Sequence, residues 1–306
     1  MTNAQAEKFI SNLHINGMDG RLLRMPAPNK TKKRHIMLLY GHHASLERMF
    51  GIAEVLNEHG TVMMPDLPGF GGMDSFYKIG EKPTLDNYAD YLASLIKLQY
   101  KRRRVTIVAM SFSVPLVIKT LQKYPELARR VELFVSISGF AHRDDFMFSK
   151  WEYWGLRSLS AVFSRRLGAA LMAHVVLTAP VLRLTYSSVS KSHTKMKTAE
   201  SPVELKRRID FEVNLWKIND VRTRFSTMGM MLTLDVCSQK INVPACHVTA
   251  TTDRYFDHRI VEQHMLIIFN KLELIPSDMA NHAPTIIAKA KEARPYIPKR
   301  LRKLLS

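Results

Sequence analysis

The chain has 306 residues, 46% of them hydrophobic, and a formal net charge of +18. That length and apolar content exclude a disordered chain and allow one large domain, or a core carrying a sizeable insertion. Two cysteines, Cys237 and Cys246, exclude a disulfide framework and suit a reducing compartment.

The opening MTNAQAEKF lacks a basic stretch followed by an apolar run, so no secretory signal is expected and the cytoplasm is the expected location. Residues 9–25 read as a hairpin around NGMDG, since Asn-Gly and Asp-Gly between short apolar runs are hairpin signals. HIMLLY (35–40) is a short continuous apolar run, as expected of a strand buried on both faces. Ser45 opens a helix that Gly60 ends, TVMMP (61–65) is the next strand, and Thr84 caps a helix over 84–98. VTIVAM (105–110) is a buried strand running directly into the helix SVPLVIKTLQKY, and VELFVSIS (131–138) is a further strand. Strands alternating with helices at this spacing predict an α/β fold with a mostly parallel sheet.

The alternation resumes only at PACHVTA (244–250), followed by a helix near 257–268, the strand KLELI and a last helix from about 284. The intervening hundred or so residues exceed any ordinary crossover. They predict a helical insertion, rich in aromatic, Met and Arg residues, in which Ser201, Pro202 and Glu204 form a helix start with a capping box. The expected organisation is a core over 1–140, a helical cap over 141–239 and a second core segment over 240–306 with a basic tail. Within the cap, the uncharged stretch 167–182 is too short to span a bilayer and reads as a buried or interfacial helix.

Ser111 stands in IVAMSFSVP, where a strand passes straight into a helix. A nucleophile there projects above the carboxyl edge of a sheet, beside a helix N-terminus that favours negative charge. The turn needs small residues two before and two after, and Ala109 and Ser113 supply them in place of the usual glycines. By itself this pattern also fits a serine at a helix start. The strand-end loop LLYGHHAS (38–45), the loop PDLPGFGGMDS (65–75) and the stretch KINVPACHVTATTDRYFD (240–257) accompany it. Together these segments resemble an α/β-hydrolase of the serine-nucleophile, esterase- or lipase-like branch, over residues 35–138 and 240–290. Tyr40 stands where that family usually has histidine.

The resemblance implies a triad in the chain order Ser111, Asp253, His282, each just past the carboxyl end of a strand. Asp257, and Asp144 or Asp145 after strand 131–138, are the alternative acids. The oxyanion hole would use the backbone N–H of Phe112 and that of His42, with His43 as the alternative second donor. Tyr40, His43, Met110, Trp151 and Trp154 are the expected substrate contacts, and Asp66 is expected to tie its loop. No metal-ligand spacing accompanies His42 and His43, and no cofactor is implied.

The expected activity is hydrolysis of apolar acyl or aryl esters through an acyl-enzyme. A cofactor-free carbon–carbon bond hydrolase is the alternative enzyme, and a silent binding protein using the basic surface is the alternative of another class. Epoxide hydrolases and haloalkane dehalogenases of this family use aspartate at the nucleophile position, so Ser111 points away from them. The basic clusters NKTKKRH (29–35), YKRRRV (100–105), LKRR (205–208) and the tail 294–306 invite contact with anionic membrane. No nucleic-acid-binding motif accompanies them, and the sequence leaves the oligomeric state open.

Overall fold

The computed structural model describes residues 4–29, 31, 34–191, 196–249, 253–279, 282–284 and 289–306. Within them a short helix α1 (Ala4–Glu7) leads into strands β1 (Ile10–Ile15) and β2 (Met18–Met25). The hairpin turns at Asn16-Gly17, both with positive φ, and the second candidate, Asp19-Gly20, is absorbed into β2. Then follow β3 (Arg34–Leu39), α2 (Leu46–Asn57), β4 (Gly60–Pro65), α3 (Leu85–Tyr100), β5 (Val105–Met110), α4 (Ser113–Lys123), α5 (Pro125–Ala128) and β6 (Val131–Ile137). The helices α6 (Lys150–Phe163), α7 (Arg166–Leu171), α8 (Ala179–Ser188), α9 (Pro202–Ile218) and α10 (Val221–Met231) come next, with a π-helical turn at Met172–Val176. The chain closes with β7 (Ala245–Thr249), α11 (His258–Ile268), β8 (Leu272–Pro276), α12 (Ala290–Ala293) and α13 (Lys299–Leu305).

Among the described residues the strands form one eight-stranded sheet in the order β1-β2-β4-β3-β5-β6-β7-β8. β2 runs antiparallel to β1 and β4, and every other pairing is parallel. Every residue of β5 and of β7 is buried. Successive side chains of a strand point to opposite faces, so the middle of the sheet is covered on both sides. The crossover order brings the carboxyl ends of β3, β5, β7 and β8 to one edge, and the loops that leave them carry the candidate site.

The caps divide. Thr84 accepts the N–H of Asn87, and Ser201 accepts that of Glu204, with Pro202 in the first turn. Glu204 instead accepts the N–H of Glu200, so the expected box does not close on Ser201. Ser45 sits at the cap of α2, but its hydroxyl makes no capping bond. The expected start of the last helix, from about 284, falls at residues 285–288, which lie outside the described residues; beyond them the chain forms α12 and α13. The basic tail is not a loose arm. Ile297, Leu301 and Leu305 are buried in the main core, and Arg34 donates to the carbonyls of Leu304 and Leu305. Lys30, Lys32 and Lys33 of the first basic cluster lie outside the described residues.

Candidate active site

β5 ends at Met110, and Ser111 takes φ +52°, the left-handed region that non-glycine residues rarely occupy. The strained turn lifts its hydroxyl off the strand end before α4 begins. Ser113 explains how a serine replaces glycine here. Its Oγ accepts the Met110 N–H at 3.0 Å and lies within donating reach of the Leu39 (3.1 Å) and Met110 (3.0 Å) carbonyls. The side chain thereby pins the turn from beneath. Across the gap, a Cβ on Gly41 would sit 3.2 Å from the Ser111 Cβ, so only glycine leaves the two loops this close without crowding.

Ser111 Oγ lies 2.8 Å from His282 Nε2, and His282 Nδ1 lies 2.6 Å from Asp253 Oδ2. An ionised carboxylate only accepts, so Nδ1 carries the hydrogen and Nε2 offers its lone pair to the serine hydroxyl. Asp253 also accepts the Tyr255 N–H through Oδ1 at 2.8 Å. Burial alone would raise this carboxyl, but the bond from His282 and the backbone N–H groups of Tyr255 and Phe256 more than offset that and hold it below the usual range. The rings of Tyr255 and Phe256 stand edge-on to His282, each 5.2 Å away, and restrict its rotation.

The alternative acids are engaged elsewhere. Asp257 caps α11 through the N–H groups of Arg259 and Ile260. Asp145 is buried, accepts from the Ala141 and His142 N–H groups, and pairs with His264 at 2.5 Å. Asp144 is exposed.

Phe112 is the cap residue of α4, and its N–H is among the donors that helix geometry leaves without an intrahelical acceptor. His42 borders the same space. Its ring lies edge-on to Phe70 and Phe112, each 5.3 Å away, and its Nε2 meets Thr227 Oγ1 at 2.9 Å. The Thr227 hydroxyl has its own acceptor in the Thr223 carbonyl, so the ring donates. Burial pushes His42 down to about 3 and keeps it neutral. His43 has φ +52°, and its Nδ1 accepts from Asn219 Nδ2 at 3.0 Å.

Two groups of expected contacts are corrected. Tyr40 is fully buried, its hydroxyl donating to Asp66 Oδ1 at 3.0 Å and accepting the Leu67 N–H at 2.7 Å. It braces the loop after β4 and does not reach the cavity. Asp66 takes the same bracing part, paired with Arg21 at 2.8 Å. Gly71, at φ +65°, is obligatory beside them, because a Cβ there would fall 1.8 Å from Asp66 Oδ1. Trp151 and Trp154 stand on the outside of α6, and neither lines the cavity. Helical periodicity reveals which positions share a face, but not which face turns inward.

Ser111 and His282 open into a cavity of about 620 Å³, where His43 and Met110 also lie. One part of the wall is apolar, with Phe140, Phe146, Phe256 and Met231. Another part is charged and comes largely from α9 and α10: Glu212, Trp216 and Arg224, with Arg48 of α2. Arg48 and Glu212 form a buried ion pair. Arg48, Glu212 and Arg224 carry no motif, and only their placement beside Ser111 makes them visible. Asn219, at the end of α9, ties the two loops together by accepting the Gly71 N–H and donating to His43.

No family model matches the chain, and no curated protein matches it by sequence. Solved structures do. The chain is similar to a malate-bound thermophilic esterase from Thermogutta terrifontis, at 16% identity and TM-score 0.61, over 97% of this chain and 98% of that one. An N-formylmaleamic acid deformylase from Pseudomonas putida S16 matches at 14% identity and TM-score 0.62, over 89% and 93%. An epoxide hydrolase, CorEH, matches at 13% identity and TM-score 0.64, over 97% of each. The chain has the α/β-hydrolase fold.

Proposed function

We propose that this protein is a serine hydrolase that cleaves carboxylic esters through an acyl-enzyme. The observation that carries the reading is the hydrogen-bonded chain Ser111–His282–Asp253, with Ser111 in a strained left-handed turn. A serine hydroxyl is a weak nucleophile until a base accepts its proton, and the base needs an orienting carboxylate. His282 removes the proton from Ser111 as Oγ attacks the ester carbonyl. The N–H groups of Phe112 and His42 hold the oxyanion, His282 returns the proton to the leaving alcohol, and water then releases the acid. Met110 and His43 contact the substrate from the cavity wall.

The neighbours' names run from esterase to epoxide hydrolase, so the fold does not select the bond. Ser111 favours acyl over alkyl transfer, because a serine ester is the intermediate it can form. A fluorophosphonate probe reports an activated serine directly. Wild type is expected to label and to hydrolyse p-nitrophenyl esters. Ser111→Ala should lose labelling and at least about a thousandfold in kcat/KM. Full turnover in that variant, or no labelling of wild type, removes the reading.

A further inference from the structure

Arg224 is one of four charged groups lining the cavity, with Arg48, Glu212 and Arg254, that the triad chemistry leaves unused. Its Nε is buried and meets no hydrogen-bond partner, and no ion pair within 4.0 Å reaches its guanidinium, among the described residues; Glu212 and Tyr186 favour its charge only from farther off. Its Cζ lies 4.0 Å over the Trp216 ring, which holds the plane in place while leaving its edge donors uncommitted. Glu212 is the acid among the cavity-lining residues, and Arg48 already pairs with it. Arg254 adds further positive charge to the lining. Burial lowers Arg224 to about 10, which leaves it cationic at neutral pH. A buried, hydrogen-bond-poor guanidinium is costly unless an anion completes it.

We propose that Arg224 binds an oxyanion carried by the substrate, a carboxylate or a phosphate, so that the site takes acyl compounds with an anionic end. This rests on the ester-hydrolase reading. The test compares p-nitrophenyl esters whose acyl chains end in a methyl, a carboxylate or a phosphonate group, and inhibition of the wild type by glutarate, inorganic phosphate and neutral glutaramide. The anionic esters should be preferred, and glutarate or phosphate should compete where glutaramide does not. The larger anionic effect identifies the carboxylate or the phosphate class. Arg224→Gln should lower the anionic-to-neutral ratio of kcat/KM at least about tenfold, the worth of one charge-assisted contact, and Arg224→Lys should restore part of it. An unchanged ratio, or equal inhibition by glutaramide, overturns the assignment while ester turnover still stands. Loss of all turnover and labelling in wild type instead removes the reading beneath it.

The outer side of α6 and α7 carries an independent feature. Trp151, Trp154 and Val162 recur at helical spacing on one exposed stripe of α6, with Trp151 89% exposed. Past a bend of 97°, Leu167, 85% exposed, Leu171 and Val175 are exposed in turn. Leu156, also on α6, lines the Ser111 cavity, so this helix has apolar residues on both sides. An isolated soluble surface seldom displays so many large, strongly exposed apolar side chains on neighbouring helices. Between residues 148 and 184 the acid is Glu152, set against Lys150, Arg157, Arg165, Arg166 and Arg183, the last of which pairs with Asp210. Among the described residues no single helix is long and apolar enough to cross a membrane.

We infer that this face docks on an anionic lipid surface, the stripe entering the acyl boundary and the arginines meeting headgroups. Wild type should co-sediment with vesicles of phosphatidylcholine containing phosphatidylglycerol, less so with phosphatidylcholine alone, and less again at high salt. Trp151→Glu with Leu167→Glu should weaken partitioning at least about tenfold. Arg165→Gln and Arg166→Gln should each weaken it about fivefold, by loss of one headgroup contact. Equal recovery for wild type and the variants overturns the inference. So does a concentration-dependent dimer, dispersed by the same glutamates, without vesicle binding, since that assigns the face to a second copy.

Discussion

The sheet core and the α6–α10 segment bury their apolar residues in contrasting ways. In the core, β5 and β7 are enclosed on both faces, and one cluster joins residues from β1 through α13. The helical segment has two small clusters of its own, around Leu215 and Phe225, and leaves Trp151, Leu167 and Leu184 outside. A sheet flanked by helices satisfies itself. A helical layer laid over a sheet edge uses one side for the cavity and turns the other outward. Met230 and Met231 of α10 pack on the sheet core, and polar contacts add to the join: Arg48 to Glu212, Asn219 to Gly71 and His43, and His42 to Thr227. The cavity therefore exists where two separately packed layers meet, and its charged wall is part of the joint.

That contrast can be broken at the joint. Glu212→Ala would strand a buried Arg48 and should cost about 3–5 kcal/mol in urea unfolding, whereas Arg48→Met with Glu212→Leu should recover most of it. A cost near that of a surface substitution would mean the layers are not held there. Acid should loosen both layers at once. Burial pushes His247, in the core against Ser136, down to about 4, and His42, at the joint, down to about 3. The unfolded chain binds these protons near pH 6.5 and the folded chain does not. Their stabilising effect is therefore complete above pH 6.5 and is lost as pH falls towards 4 for His247 and towards 3 for His42. At pH 5 each should cost about 2 kcal/mol relative to neutral pH, read from unfolding curves at both. His247→Asn should remove one share of that slope and His42→Asn the other. The smallest change tests the core side of the site. Ser113→Ala should destabilise by about 1–2 kcal/mol, because the Met110 N–H loses its partner. Its kcat should fall more than its stability explains if the elbow geometry depends on that bond.

Much of this was legible in the residues. Continuous apolar runs declared the parallel strands, and the resemblance of the elbow and its accompanying loops to a known family pointed to the candidate triad Ser111, Asp253 and His282, past β5, β7 and β8. Both signals are local: a strand buried on both faces must be apolar throughout, and a turn as tight as the one at Ser111 must have small neighbours. The docking of the tail was not legible because positive charge dominates its composition, while Leu301 and Leu305, four apart on α13, seat it on the core. Tyr40 and Trp151 were misplaced for a related reason. An aromatic residue reads the same whether it braces a loop, lines a cavity or faces outward.

The sequence by itself determined the sheet, the carboxyl edge where the candidate site lies and the serine at the turn after β5, because backbone burial and turn sterics act on neighbours in the chain. Only the tertiary structure decided which residues wall the cavity. Arg48 and Arg224 are separated by most of the protein and carry no periodic signal, and they meet beside Ser111 because the helical layer folds back over the sheet edge.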